Sequence, residues 1–235
     1  MTKVKFCGLT RDEDIGAANR LTPDFAGLVF AEKSRRYVSP ERAREIREKL
    51  DRRIKTVGVF VNADISFIVE LLRDGVIDIA QLHGGEDDAY IRELRKVIDR
   101  PVIKAFRIDS ETDILRAGAS AADMVLLDSG TGGTGKRIDW YLADMMTRPY
   151  FLAGGLTPEN AGDAVMTLHP FALDVSSGIE TDGHKDEEKM AAFMNAVKDA
   201  DKNRKELKND EPERPFRYTR RSVHTGNAYE RGDRA

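Results

Sequence analysis

The sequence predicts an α/β fold: a single (β/α)8 barrel with a C-terminal polar tail. Three observations make that prediction. Short apolar or β-branched runs recur eight times, and a charged amphipathic segment follows each one. The runs are apolar enough to be covered on both faces, as parallel strands are. Eight such units within residues 1–200 of a 235-residue chain fit one closed barrel. A doubly wound open sheet is the competing fold, but it usually has fewer strands and would leave hydrophobic edges here.

The expected strands are residues 3–7, 25–30, 55–61, 79–83, 101–106, 124–128, 149–154 and 171–175. Among the helices, "SPERAREIREKLDRR" opens with Ser39 as N-cap, Pro40 in the first turn and Glu41 where the helix dipole favours negative charge. "TPENAGDAV" repeats that start signal from Thr157. "DEEKMAAFMNAVKD" predicts the last helix, with Met190, Phe193, Met194 and Val197 on one stripe. Trp140, the lone tryptophan, is expected to pack at the start of the sixth helix.

Composition narrows the function classes. The net charge of −3 gives no reason to expect nucleic acid or an acidic membrane as a partner. No apolar run approaches the roughly 18 residues of a membrane span, and "MTKVKF" enters a strand pattern without a signal-peptide core. The single cysteine, Cys7, forms no internal disulfide, so a cytoplasmic location is expected. Residues 201–235 carry ten Lys or Arg against seven Asp or Glu and few large apolar residues. They read as a tail, disordered or draped on the barrel. Phe216, Tyr218 and Tyr229 are its candidate anchors. Basic residues beside aromatics also suggest RNA contact, against which the acidic barrel argues. Truncation after Asp199 is expected to leave kcat within roughly threefold.

In such a barrel the chemistry stands at the C-terminal ends of the strands. Cys7 follows the first, the "SRRYVSP" loop the second, His83 the fourth and Asp128 the sixth. Gly154 and Gly155 follow the seventh, and Asp174 with Ser176, Ser177 and Gly178 marks the eighth. Cys7 reads either as a small buried hydrophobe or as a nucleophile or base. The glycine and serine turns after the last two strands suit a phosphate, whose oxygens backbone N–H groups can approach closely. They also read as ordinary turns, with Ser177 a plain N-cap. The glycine-rich loop after Asp128 (Gly132, Gly133, Gly135) reads as a flap over a ligand or as flexible joints. Asp174 has two readings, a substrate contact and a cap of the following turn. His83 at a strand end is commonly structural, and its role is open.

"KFCGLT", "GLVF…SRRYVSP", "VGVFVN", "QLHG", "LLDS…GGTG…DW", "AGGL" and "DVSSGIE", in this order, resemble phosphoribosylanthranilate isomerase of tryptophan biosynthesis over residues 3 to about 198. The resemblance implies an Amadori rearrangement of N-(5-phosphoribosyl)anthranilate to 1-(2-carboxyphenylamino)-1-deoxyribulose 5-phosphate. This is the third step from chorismate to tryptophan, and it uses no metal and no organic cofactor. It implies Cys7 as general base, Asp128 as general acid and Arg36 as the holder of the anthranilate carboxylate. The protein is expected to act on this small phosphosugar as a monomer or homodimer. The chemistry is consistent with those roles. Opening a furanose ring needs a protonated acid, and desolvation at a strand end favours one. A thiolate can then take the proton that the resulting imine acidifies. A guanidinium matches a flat carboxylate with two parallel hydrogen bonds.

The chain departs from the family pattern at Phe6 and at Arg137–Ile138 before "DW". Three rivals remain. A metal-dependent phosphosugar epimerase needs His and Asp ligands, and His83, His169, His184 and His224 show no close ligand pair. A bifunctional relative serving histidine and tryptophan synthesis has aspartate in place of Cys7. A non-catalytic binding barrel has no use for both Cys7 and Asp128.

Overall fold

The structure, a computed structural model, describes residues 1–128 and 140–210, with side chains through 207. Eight parallel strands close into a barrel in sequential order: β1 (Lys3–Cys7), β2 (Phe25–Val29), β3 (Lys55–Phe60), β4 (Ile79–Leu82), β5 (Val102–Arg107), β6 (Met124–Asp128), β7 (Tyr150–Leu152) and β8 (Ala172–Val175). All eight expected runs are strands, two with the expected bounds and six shifted by one or two residues at one or both ends. Helices α1 (Asp12–Leu21), α2 (Pro40–Lys49), α3 (Ile65–Arg73), α4 (Asp88–Val97), α5 (Glu111–Ala119), α6 (Trp140–Asp144), α7 (Pro158–Leu168) and α8 (Glu187–Asp210) lie between and after them.

The start signals act as expected. The Ser39 hydroxyl accepts from the Arg42 N–H, and Pro40 occupies the first turn of α2. Thr157 and Asn160 form a reciprocal capping box on α7. Trp140 is the first residue of α6 and packs partly buried against the core. The stripe on α8 is buried at Met190, Phe193, Met194 and Val197.

Strand parity divides the core in two. Val4, Phe6, Leu28, Phe60 and Val125 face outward and join the large cluster beneath the helices. The alternate residues, among them Phe25, Val57, Ile79, Leu126 and Phe151, fill the barrel interior as a second cluster. Phe6 is thus an outer-core residue, away from the chemistry. At the closing seam β1 pairs with β8 so that Lys5 stands opposite Asp174, and on the other side Cys7 stands opposite Gly27.

The tail boundary needs correction. The barrel domain does not end at residue 200, because α8 continues through Asp210. Most of residues 200–210, Ala200, Lys202 and Arg204 to Lys208 among them, are good helix formers, and their charge pattern supports a helix as well as it does a solvated tail. Ala200 and Asp201 are buried. Asp201 accepts from the Thr2 backbone N–H at 2.5 Å and from its hydroxyl at 3.2 Å, which ties the helix to the start of β1. Lys202–Glu206 and Arg204–Asp201 pairs run along the same stretch. The aromatic anchors Phe216, Tyr218 and Tyr229, and the docked or disordered state expected of residues 211–235, lie outside the described residues. Among the described residues no helix is long and apolar enough to cross a membrane.

A chain ending at residue 210 should melt with the full chain. One ending at Asp199 loses the Thr2–Asp201 bonds and should be about 1–3 kcal/mol less stable, as read by thermal or urea unfolding.

Candidate active site

At the C-terminal mouth the inward positions become polar. Cys7 is the last residue of β1 and Asp128 the last of β6, while His83 stands just past β4. A cavity of about 260 Å3 opens there, and its wall includes Cys7, Arg36, His83, Asp128, Asp174, Gly154, Gly155, Ser176 and Ser177. Among the described residues, every candidate catalytic, substrate-binding or phosphate-binding residue therefore reaches one cavity, with one exception. Gly178 does not line it: the residue lies in the single 3-10 turn Ser177–Ile179, packed so tightly on Leu156 that a Cβ would collide with the Leu156 carbonyl oxygen. Its part is to let the loops after β7 and β8 close on each other. Gly132, Gly133, Gly135, Arg137 and Ile138 lie outside the described residues.

On one side of the mouth, His83 Nε2 is 3.3 Å from Asp128 Oδ2. Its Nδ1 is 2.9 Å from Gln81 Nε2. With the Gln81 amide donating, the ring proton sits on Nε2 and points at Asp128. His83 is therefore the neighbour of the candidate acid.

On the other side, Cys7 is surrounded by charge. Lys5, two residues earlier on the same strand face, is fully buried and donates to both oxygens of Asp174 at 2.9 and 3.0 Å. Asp174 thus has a lysine partner that neither of its two sequence readings included. Lys185 donates to the Ser176 carbonyl at 3.0 Å, and the Ser176 hydroxyl donates to the Cys7 carbonyl at 2.9 Å. Burial pushes the Cys7 thiol above its ordinary range; Lys5 and Lys185 pull it down, and Asp174 adds to the rise. Burial works against the Lys5 ammonium too, but Asp174 and then Cys7 carry it above the usual lysine value.

Arg36 is held in place rather than loose. Its Nε donates to Glu180 Oε1 at 2.7 Å and its Nη2 to Oε2 at 2.9 Å. Arg35 and Lys185 each reach the same carboxylate at 2.7 Å. Burial opposes that charge, but hydrogen bonds from Arg36 and Lys185 outweigh it and hold the Glu180 carboxyl down at about 2. Glu180 and Lys185 come from a small hairpin, β9 (Glu180–Thr181) and β10 (His184–Lys185), that the sequence reading missed. Its signal was present: Asp182 and Gly183 take φ of 51 and 82 degrees, the pair of positive angles that a two-residue Asp-Gly turn supplies. Lys5 was also legible, since an inward Cys7 at a strand end makes residue 5 inward as well.

A family model described as N-(5'phosphoribosyl)anthranilate (PRA) isomerase matches residues 4–196. The N-(5'-phosphoribosyl)anthranilate isomerase of Endomicrobium trichonymphae is 45% identical over 194 residues, spanning 81% of this chain and 95% of the relative. The phosphoribosyl anthranilate isomerase of Thermotoga maritima superposes with a TM-score of 0.77 at 38% identity, covering 85% of this chain and 100% of its own. A phosphoribosyl anthranilate isomerase solved in complex with reduced 1-(o-carboxyphenylamino)-1-deoxyribulose 5-phosphate gives a TM-score of 0.75 at 36% identity, with coverage of 85% and 100%.

The depressed Glu180 carboxyl makes a prediction about acid stability. It contributes stability above the ordinary glutamate range and loses it as pH falls toward about 2. Between pH 5 and pH 3 the native protein should lose about 1–2 kcal/mol more unfolding free energy than Glu180→Gln. Urea titrations at the two pH values measure this.

Proposed function

The chain belongs to the N-(5'-phosphoribosyl)anthranilate isomerase family, and from that premise we propose that Cys7 and Asp128 carry its isomerisation as base and acid. The reaction itself is the conversion of N-(5'-phosphoribosyl)anthranilate in tryptophan biosynthesis. The observation that carries the assignment is that Cys7 and Asp128, from strands three steps apart around the ring, line one cavity of ligand size.

Asp128, protonated, gives its proton to the furanose ring oxygen as the C1–O bond breaks and the anilino nitrogen forms an iminium at C1. The iminium acidifies the proton on C2. The Cys7 thiolate removes that proton, the electrons move into C1=C2, and the nitrogen recovers its lone pair. The enol so formed relaxes to the ketone as C1 gains a proton and the C2 hydroxyl gives one up. His83, within 3.3 Å of Asp128, orients the acid's carboxyl group and faces the sugar from the same side. Asp174, on the cavity wall beside Cys7, faces the sugar from the base side.

Arg36 is the carboxylate holder. Glu180 takes its Nε and Nη2 edge, which leaves Nη1 to meet the anthranilate carboxylate from a fixed direction. Val29, Val59 and Val61 make an apolar wall on the same side of the cavity, suited to an aromatic ring. The phosphate goes to the turns after β7 and β8, against Gly154, Gly155, Ser176 and Ser177, with Gly178 fixing the approach of the two turns. The complex of a relative with a reduced product analogue supports a phosphosugar ligand at this mouth. All these residues come from one chain, so none of them has to be supplied by a partner subunit.

Cys7→Ala and Asp128→Asn should each lower kcat by about 10²–10⁴-fold while retaining binding of the reduced product analogue. The check is turnover of freshly prepared N-(5'-phosphoribosyl)anthranilate, followed by its fluorescence loss. Full turnover by either variant removes that residue from the mechanism. Arg36→Met should raise KM by about 10-fold or more with a smaller effect on kcat. Activity should persist in excess chelator, whereas a metal-dependent phosphosugar enzyme would be silenced.

A further inference from the structure

Lys5 and Asp174 form an ion pair sealed inside the barrel, with side-chain exposures of 0% and 7%. Such a pair costs several kcal/mol of desolvation, and apolar residues of the same size are often as stable. Stability alone therefore gives no reason for a lysine here. Its surroundings give another. Gly27 lies beside both Cys7 and Lys5: a Cβ there would stand 2.8 Å from Cys7 Sγ and 3.2 Å from Lys5 Nζ. Sulfur and ammonium thus flank the same point on β2, and the missing side chain keeps the space between them open. Asp174 takes only part of the ammonium. Three N–H bonds radiate from Nζ, and the carboxylate accepts from one side.

We propose that Lys5 is a positioning residue that holds negative charge on the Cys7 sulfur, with Asp174 competing for the same ammonium. The proposal rests on the reading of Cys7 as the base. In the resting protein Asp174 shares the cation. When the sulfur takes up negative charge, it draws on the same Nζ, and no charge has to move into the barrel. The charged groups facing Cys7 are Lys5 from its own strand, Asp174 from β8 and Lys185 from β10. Lys185 is already committed to Glu180 and Ser176, and Glu180 in turn to Arg36. Among the described residues, Lys5 is the cation that only Asp174 contests.

The chain has a single thiol, so its reaction with iodoacetamide reports Cys7 directly. An opposite charge at this range moves a titration by about 1–3 pH units. At pH 8, Lys5→Met should slow alkylation about tenfold or more and lower kcat in parallel, with KM within about threefold. Asp174→Asn, which frees the ammonium for sulfur, should speed alkylation at the same pH. Opposite movements are what a merely structural role cannot produce. Unchanged alkylation in Lys5→Met, or movement of both variants in one direction, overturns the proposal. If Lys5→Met does not fold, Asp174→Asn decides alone: faster alkylation supports the competition, and equal or slower alkylation ends it. Turnover by Cys7→Ala would sink the base assignment, yet the alkylation rates would still report on Lys5.

Discussion

Closure of eight strands into a ring fixes which side of each strand faces inward, and the site follows from that constraint. Once β8 pairs with β1, every alternate residue of every strand is committed to the barrel interior. The lower interior can be apolar, and it is: Phe25, Val57, Ile79, Leu126 and Phe151 fill it. The same parity carries β1 from Lys5 to Cys7, β4 from Gln81 to His83, β6 from Leu126 to Asp128 and β8 from Ala172 to Asp174. Polar side chains thus sit directly on an apolar plug, in a place where water is scarce and charge interactions are strong. A slip of one residue in any strand would send its functional side chain under the helices instead.

That setting accounts for the electrostatics. Burial raises the Cys7 thiol, and no arrangement of the barrel avoids this cost at a strand end. Cations are the available remedy, and two lysines approach from different elements. The outer one, Lys185, also helps fix Glu180, which fixes Arg36, so the hairpin after β8 links the base side of the mouth to the carboxylate-binding side. An arginine on a long loop side chain would otherwise lose about 2 kcal/mol of rotamer entropy on each binding event. The Glu180 carboxylate meets that cost during folding.

The eight strands were legible because burial on both faces imposes continuous apolar runs, and the caps at Ser39 and Thr157 because they are local chemistry. The site residues were legible as types at strand ends. What escaped was partnership. Nothing near Asp174 in sequence announces Lys5, 169 residues away and its register partner only after the ring closes. Glu180 was given no role from sequence, and its link to Arg36 spans 144 residues. The last helix was cut short because residues 200–210 carry both a tail's charge and a helix's propensity. Their buried anchor, Asp201, is visible only beside Thr2.

The central claim is that one ligand lies between Cys7 and Asp128 with its phosphate on the turns after β7 and β8. A crystal structure of this protein with reduced 1-(o-carboxyphenylamino)-1-deoxyribulose 5-phosphate bound tests it most directly. The sulfur and the carboxylate should lie on opposite sides of the sugar's C1–C2 bond, with phosphate oxygens against Gly154, Gly155 and Ser177. A phosphate seated elsewhere, or either side chain out of contact with the sugar, would contradict it.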